Sequence, residues 1–312
     1  MALIFSSDED DTVAWRELMP DILPDLDFRI YPDDEGDPNV IDYALVNPAA
    51  CGILRRYPNL KAVFSLFAGV EHIVAQREIL PDGVPIVRLV SPDLTDGMAE
   101  YVALHALRYY RSHDAYTQQS TDGVWRSRPL NEAYRKVGIM GLGVLGQAAA
   151  RMLRNLGFDV AGWSRSKKVI EGVECYAGSD QLTPFLARSH MLVSLLPLTA
   201  ETENLIDGTL LARLPQGAYF INAARGAQVV EADLIAALDN GDLAGATLDV
   251  FREEPLPSDH VFWRHPKITV TPHVASVSRP CHVSAKWYTD NIKTIEAGAG
   301  PIGGVVNLDA GY

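Results

Sequence analysis

The chain has 312 residues, enough for two domains of roughly 150 residues each. Hydrophobic residues make up 47% and charged residues 21%, an ordinary globular usage that excludes disorder, collagen and coiled coil. With 40 Asp+Glu against 27 Lys+Arg the formal charge is −13. That balance argues against a nucleic-acid or anionic-membrane partner, which needs clustered cations, but not against a small anion in a local positive pocket.

The pattern along the chain predicts two α/β halves. Residues 2–5 form an apolar strand, and the acidic stretch Ser6 to Asp11 opens a helix. Further short apolar runs lie at 27–31, 43–46, 62–66 and 86–89, with Pro and Gly between them. Such runs separated by helical stretches predict βα units and a parallel sheet. Residues 98–116 are apolar and unbroken by Pro or Gly, so they read as one long helix. Residues 117–134 are polar, include Trp125 and Pro129, and read as a loop or arm. A second αβ series follows. Strands are expected at 136–140, 158–163, 191–195, 218–222, 245–249 and 268–271, and helices near 144–156, 180–187, 208–213 and 231–239. A last helix is expected over 279–298.

No apolar run reaches the roughly 20 residues that span a bilayer. The N-terminus MALIFSSDEDD lacks a positive leader region. Cys51, Cys175 and Cys281 form no CxxC pair, zinc spacing or even disulfide set. The expectation is a cytoplasmic protein with free thiols and no metal.

The sharpest motif follows the strand at 136–140. Gly141-Leu-Gly143-Val144-Leu145-Gly146 is GxGxxG between a strand and a helix, the context in which it binds dinucleotides. Gly141 permits a tight turn, Gly143 admits a pyrophosphate, and Gly146 lets helix and strand pack closely. The helix N-terminus then offers N–H groups to the phosphates. The next strand selects the coenzyme. An NAD site places Asp or Glu there for the ribose 2′-OH. This chain has Ser164, then Arg165-Ser166-Lys167-Lys168. A 2′-phosphate suits Arg165 and the neighbouring hydroxyls, and Lys167 or Lys168 adds a point charge. The loop predicts NADP(H), with NAD(H) less favoured.

Three further segments end predicted strands on one side of the sheet, where ligands of open α/β folds bind. They are Asn222-Ala-Ala-Arg225, the run from Asp249 through Glu253-Glu254-Pro255, and Thr271-Pro-His273. An arginine fork can hold a carboxylate. A histidine can give a proton to a carbonyl as hydride arrives. A carboxylate on the other imidazole nitrogen orients the ring and favours its charged form. Glu254 is the expected partner, although its neighbour Glu253 competes for the role. Arg225, Glu254 and His273 with a nicotinamide suffice to reduce a 2-oxo acid.

The glycine-rich turn, NAARG, DVFREEPLP and TPHVAS, in this order, resemble the D-isomer-specific 2-hydroxyacid dehydrogenases, and among them the glyoxylate/hydroxypyruvate reductase A subfamily. FAGVEHI near 67–73, DGMAEYV near 96–102, SLLPLTAETENLID near 194–207 and the terminal Gly311-Tyr312 agree, so the likeness spans nearly the whole chain. It implies two Rossmann-like parallel-sheet domains of the α/β class. A discontinuous substrate domain would comprise 1–97 and 281–312, around a coenzyme domain at 98–280. It implies hydride transfer to a small 2-oxo acid, with Arg225 binding the carboxylate, His273 donating the proton and Glu254 orienting His273. It implies backbone N–H groups of Ala68, Gly69 and Val70 for the carboxylate. It sets Leu196-Pro197 against the adenine and Asp249 near the nicotinamide amide, with Ala223, Arg225 and His273 also beside the coenzyme. It further implies a homodimer through the coenzyme domain, using helix 98–116 and the arm with Trp125.

Two other readings stand beside this one. The same fold could act on a larger 2-oxo acid or on phosphite, as decided by the loops of the first domain. A dinucleotide-sensing binding protein or corepressor would keep the fold without turnover, and intact Arg225, Glu254 and His273 argue against it.

Overall fold

The computed structural model describes all residues except 9–10, 71–72, 74, 77, 79, 81, 278–281 and 309–312. Cys281, Glu71-His72 of the FAGVEHI run and the Gly311-Tyr312 terminus lie outside the described residues. The chain divides into two compact units, Met1–Leu94 with Ser278–Tyr312, and Thr95–Val277.

The first unit is built on β1 (Ala2–Ser6), α1 (Thr12–Ile22), β2 (Asp27–Ile30), β3 (Ile41–Val46), β4 (Ala62–Ser65) and β5 (Ile86–Val87). The five strands lie in the order β2-β1-β3-β4-β5, all parallel. Asp11 caps α1 by accepting from the N–H groups of Val13 and Ala14, the expected way to satisfy orphan donors of a first turn. The strands are buried on both faces, as a parallel sheet between helices requires. Leu3, Phe5, Phe64 and Val87 face one core, shared with Trp15 of α1 and Tyr288 of the C-terminal helix His282–Glu296. Ala2, Ile4, Val63 and Ile86 face the other. Each fully buried large apolar side chain contributes about 1.5–3 kcal/mol to such a core.

Helix α2 (Pro92–Tyr110) carries the chain from the first unit into the second. The second unit continues with α3 (His113–Thr121), β6 (Lys136–Met140), α4 (Val144–Asn155), β7 (Asp159–Ser164), β8 (Glu174–Ala177), α5 (Leu182–Arg188), β9 (Met191–Ser194), α6 (Gly208–Leu211), β10 (Ala218–Asn222), α7 (Glu231–Asn240), β11 (Leu243–Leu248) and β12 (Ile268–Val270). Its seven strands run in the order β12-β11-β10-β9-β6-β7-β8, again all parallel. Strand order reverses between β6 and β9, which is the crevice where doubly wound sheets take ligands.

Both units are therefore of the α/β parallel-sheet class, in agreement with the sequence. The expected strands fall within a residue or two of those observed. Three readings need correction. The long helix starts at Pro92 rather than Met98, because proline suits the first helical position and Gly97 inside it is tolerated. It ends at Tyr110 rather than near 116. The chain turns at Arg111-Ser112, with Ser112 left-handed at φ 52°, and an ion pair from Arg108 to Asp114 spans the break. The polar stretch after it is not wholly a loop, since α3 runs to Thr121; only 122–131 forms an exposed arm. The short edge strand β8, with mixed burial, had no apolar run to announce it.

Among the described residues Cys51 and Cys175 are free thiols. Burial pushes the Cys51 thiol up to about 11, which makes it inert filler. No helix of the described residues is long and apolar enough to cross a membrane. No cluster of His, Cys, Asp or Glu among them could hold a metal.

Candidate active site

The glycine-rich turn joins β6 to α4. Gly141 has φ +100°, and a Cβ there would lie 2.5 Å from the Leu195 carbonyl oxygen. A Cβ on Gly146 would lie 1.9 Å from the Gly141 carbonyl oxygen. Both positions therefore need glycine for steric reasons. At Gly143, the N-cap of α4, a Cβ would meet nothing within 4 Å. No side chain caps this helix. The N–H groups of Val144 and Leu145 thus open α4 beside free space, the arrangement that takes a phosphate.

The sheet register sets the coenzyme loop next to this turn. Gly141 N donates to the Trp163 carbonyl at 2.9 Å, so Ser164 at the end of β7 flanks the glycines. Ser164 is buried and donates its hydroxyl proton to the Ser166 carbonyl at 2.8 Å. Its donor is thereby used in shaping the turn. Arg165, Ser166, Lys167 and Lys168 are exposed. On the other side of β6, Leu196 and Pro197 leave the end of β9. Their carbonyls accept from Gln228 Nε2 at 2.9 and 3.0 Å, which pins the segment over the turn.

The three candidate reacting residues follow β10, β11 and β12. Asn222 ends β10 and holds the next turn: its Oδ1 accepts from Ala224 N at 3.1 Å and its Nδ2 donates to the Arg225 carbonyl at 3.1 Å. Ala223 is buried there, and Arg225 is extended and half-buried. The neighbouring Gly226 lies against the Phe251 backbone, which draws this turn to the segment after β11. In that segment Glu254 Oε1 accepts from Phe251 N at 2.8 Å. Its Oε2 lies 2.7 Å from His273 Nδ1. Glu253 makes no such bonds among the described residues, so the structure pairs His273 with Glu254 and not with its neighbour.

Electrostatics follow from this pair. The Glu254 bond holds the His273 pKa above the usual imidazole value against the opposing effect of burial and of Arg225. Burial pushes the Glu254 carboxyl up, but the bonds from His273 and Phe251 N, with the charges of His273 and Arg225, bring it below the usual value. Because Nδ1 faces the carboxylate, Nε2 is the ring atom left to carry a transferable proton.

Asp249 does more than the sequence disclosed. It is 1% exposed. Its Oδ1 accepts from Val274 N at 2.9 Å and from Thr271 Oγ1 at 2.5 Å, and its Oδ2 accepts from Ala275 N at 2.8 Å. Its own carbonyl accepts from His273 N at 2.8 Å. These bonds clamp a loop in which His273 itself is left-handed, with φ 53°, a conformation that costs a side-chain-bearing residue about 1–2 kcal/mol. Since Thr271 gives its one hydroxyl proton to Asp249, Tyr101 of α2 must be the donor in the 2.7 Å contact with Thr271 Oγ1. A chain of bonds therefore runs Tyr101 to Thr271 to Asp249 to the His273 loop. Sequence reading missed Tyr101, Thr271 and Asn222. Only Asn222, a turn-former at a strand end, carried a local signal.

In the first unit the chain leaves β4 through Phe67, Ala68, Gly69 and Val70. Ser65 Oγ lies 3.1 Å from the Phe67 N–H. Among the described residues the N–H groups of Ala68, Gly69 and Val70 have no acceptor.

With this geometry in hand, comparison with known proteins is decisive. Residues 103–275 match the family described as D-isomer specific 2-hydroxyacid dehydrogenase, NAD binding domain. The chain belongs to that family. The dehydrogenase is 41% identical over 317 residues to the glyoxylate/hydroxypyruvate reductase A of Serratia proteamaculans, with 100% of both chains covered. It is similar to a crystal structure of a D-isomer specific 2-hydroxyacid dehydrogenase from Xanthobacter autotrophicus in complex with NADPH and MES. That likeness has 44% identity and a TM-score of 0.94, covering 100% of this chain and 99% of that one. It is likewise similar to the NADPH-dependent glyoxylate/hydroxypyruvate reductase of Sinorhizobium meliloti in complex with NADP and sulfate. Here the identity is 41% and the TM-score 0.91, with the same coverage. Family membership makes the dehydrogenase an NAD(P)-dependent oxidoreductase.

Proposed function

We propose that the protein is an NADPH-preferring reductase of small 2-oxo acids, taking glyoxylate to glycolate and hydroxypyruvate to D-glycerate. The observation that carries this reading is the 2.7 Å contact between His273 Nδ1 and Glu254. It leaves Nε2 as an acid whose proton is retained toward neutral pH, on the same sheet edge as the glycine turn. The units take the roles that family membership implies: Thr95–Val277 holds the coenzyme and the remainder of the chain holds substrate.

The residues present fit a dinucleotide. The N–H groups of Val144 and Leu145 and the open space at Gly143 would receive the pyrophosphate, Leu196-Pro197 the adenine, and Arg165, Ser166 and Lys167 a 2′-phosphate. Ser164 supports NADP by removing the carboxylate that would repel it, and the NADPH- or NADP-bound relatives agree. A bound nicotinamide supplies the hydride. This chain's residues do the rest. In the second unit the fork of Arg225 binds the 2-oxo acid's carboxylate and polarises its carbonyl; the family resemblance gives the N–H groups of Ala68, Gly69 and Val70 in the first unit a carboxylate-binding role as well. As the carbonyl carbon gains the hydride, His273 Nε2 gives its proton to the oxygen, yielding the 2-hydroxy acid. Glu254 keeps the ring oriented and stabilises its charged form. The family resemblance assigns Asp249 to the nicotinamide amide, beside its clamp on the His273 loop.

The protein acts as a homodimer through the second unit in this reading. Trp125 is fully exposed on the arm, and Leu104 is 62% exposed on α2, beside a depression of about 510 Å³ lined by both helices α2 and α3. Light scattering of the wild type and Trp125→Ser checks this: a dimer weakened by the substitution is expected, and a monomeric wild type contradicts it.

Chiral analysis of the product from hydroxypyruvate and NADPH, with Arg225→Lys as the companion variant, tests the function. D-glycerate is expected, with kcat/KM for the variant reduced about 100-fold because lysine keeps the charge but loses the fork. L-glycerate, or undiminished kinetics in the variant, would reject the assignment.

A further inference from the structure

Arg88 is a half-buried cation that the proposed mechanism does not use. It follows β5 directly, at the carboxyl end of the first unit's sheet. Its backbone is held on both sides: Arg88 N donates to the Gly304 carbonyl at 2.9 Å, and the next residue, Leu89, donates to the Phe67 carbonyl at 3.2 Å. The alternation of the strand fixes where its side chain goes. Val87 and Leu89 belong to one core and Ile86 to the other, so Arg88 shares the face of Ile86. Val70 belongs to that same face. Register places Arg88 laterally beside Ser65, since Phe64 pairs with Val87. Neighbouring strands lie about 4.8 Å apart, within the reach of an arginine.

The side chain is half-buried, yet among the described residues it has no carboxylate or hydrogen-bond acceptor. Burial pushes its pKa below the ordinary arginine value, with no acid opposing it. An uncompensated charge of this kind destabilises a fold. The Leu89–Phe67 bond sets the backbone of Arg88 next to the chain that leaves β4; Val70 lies in the core on the Arg88 face and Ala68 in the opposite one, and among the described residues the N–H groups at 68–70 also lack acceptors. Cation and donors together make a receptor for an oxyanion.

We infer that Arg88 is a specificity-determining residue: with the N–H groups of Ala68, Gly69 and Val70 it forms an oxyanion cradle in the first unit, for the carboxylate of the substrate. The inference deepens the proposed 2-oxo acid reduction and rests on that reading for the identity of the anion. The charge selects acids over the corresponding neutral aldehydes, amides and esters, and it acts on binding rather than on the proton or hydride.

The test compares wild type, Arg88→Met and Arg88→Lys, each saturated with NADP⁺ so that the coenzyme phosphates cover their own site. Thermal unfolding is followed over a sulfate titration, and KM and kcat are measured with glyoxylate and NADPH. Methionine matches the length and removes the charge. It is expected to leave the melting temperature without sulfate unchanged or higher, because the unpaired charge is gone. It is expected to weaken sulfate stabilisation at least tenfold in midpoint, and to raise KM about tenfold or more with kcat within threefold. Lysine should lie between the two. A structural role would give the opposite sign: a lower melting temperature without sulfate and an unchanged KM, which would overturn the inference. Equal sulfate responses in wild type and Arg88→Met would also overturn it. If the wild type fails to turn over glyoxylate, the reductase reading falls, and the sulfate series still decides whether Arg88 binds anions.

Discussion

In the proposed mechanism the proton transfer rests on one strained residue, His273. Its left-handed backbone is held by the Asp249 clamp, and its ring is set by Glu254 at 2.7 Å. His273→Ala should lower kcat/KM for reduction by about 10²–10⁴ while NADPH binding, followed by fluorescence titration, stays within a few-fold of wild type. A pH profile reads the pair directly. The reductive direction needs charged His273, and Glu254 raises its pKa above 6.5. Activity should therefore be high on the acid side and fall as pH rises through that raised value. Glu254→Gln should move the falling limb to lower pH, and an unmoved limb would remove Glu254 as the cause. The pair stabilises the fold most between the two ordinary values, 4.5 and 6.5. Its contribution is lost as pH falls through the depressed Glu254 pKa and as pH rises through the raised His273 pKa. At the other end of the sheet, Arg165→Asp should raise the Kd for NADPH at least tenfold and improve discrimination toward NADH, since the proposed coenzyme site sets this charge against the 2′-phosphate.

The elements show why such residues can be placed so closely. Strand ends of a parallel sheet are fixed by ladders of backbone bonds, so β6, β7, β9, β10, β11 and β12 present their following residues at one edge. The relay from Tyr101 through Thr271 to Asp249 adds a tie between α2 and the His273 loop. Thr271→Val breaks it at the middle. Loss of about 1–3 kcal/mol of stability is expected from the unsatisfied buried partners, together with a fall in kcat at unchanged coenzyme affinity, and Thr271→Ser should restore both. Retention of wild-type kcat in Thr271→Val would confine the relay to stability. Much of this architecture was legible in the sequence, because buried parallel strands are short apolar runs and GxGxxG needs its strand and helix. Arg225, Glu254 and His273 were legible as candidates because each follows the end of such a run, and the structure pairs Glu254 with His273. What escaped depended on long-range partners. Asp249 bonds residues more than 20 positions away, and Tyr101 looks like an ordinary core aromatic. The break at Arg111-Ser112 has no proline or glycine to mark it, and β8 is held at a sheet edge by β7 rather than by its own composition.

At the scale of the whole molecule, the proposed sites set local cations against an acidic chain. Arg165 and Lys167 gather at the end of β7, Arg225 after β10 and Arg88 after β5, while the net charge stays at −13. Local charge, not overall charge, decides which small molecules enter, and a protein of this sign can still select a phosphorylated coenzyme and a carboxylate substrate. In the proposed function, coenzyme goes to the Thr95–Val277 unit and substrate to the rest of the chain. The most direct test of the account is to mix purified protein with glyoxylate and follow NADPH and NADH oxidation side by side at 340 nm. Rapid loss of NADPH, with kcat/KM at least tenfold above that for NADH, is the predicted result. Equal use of both coenzymes would contradict the coenzyme assignment, and no oxidation of either would contradict the reductase itself.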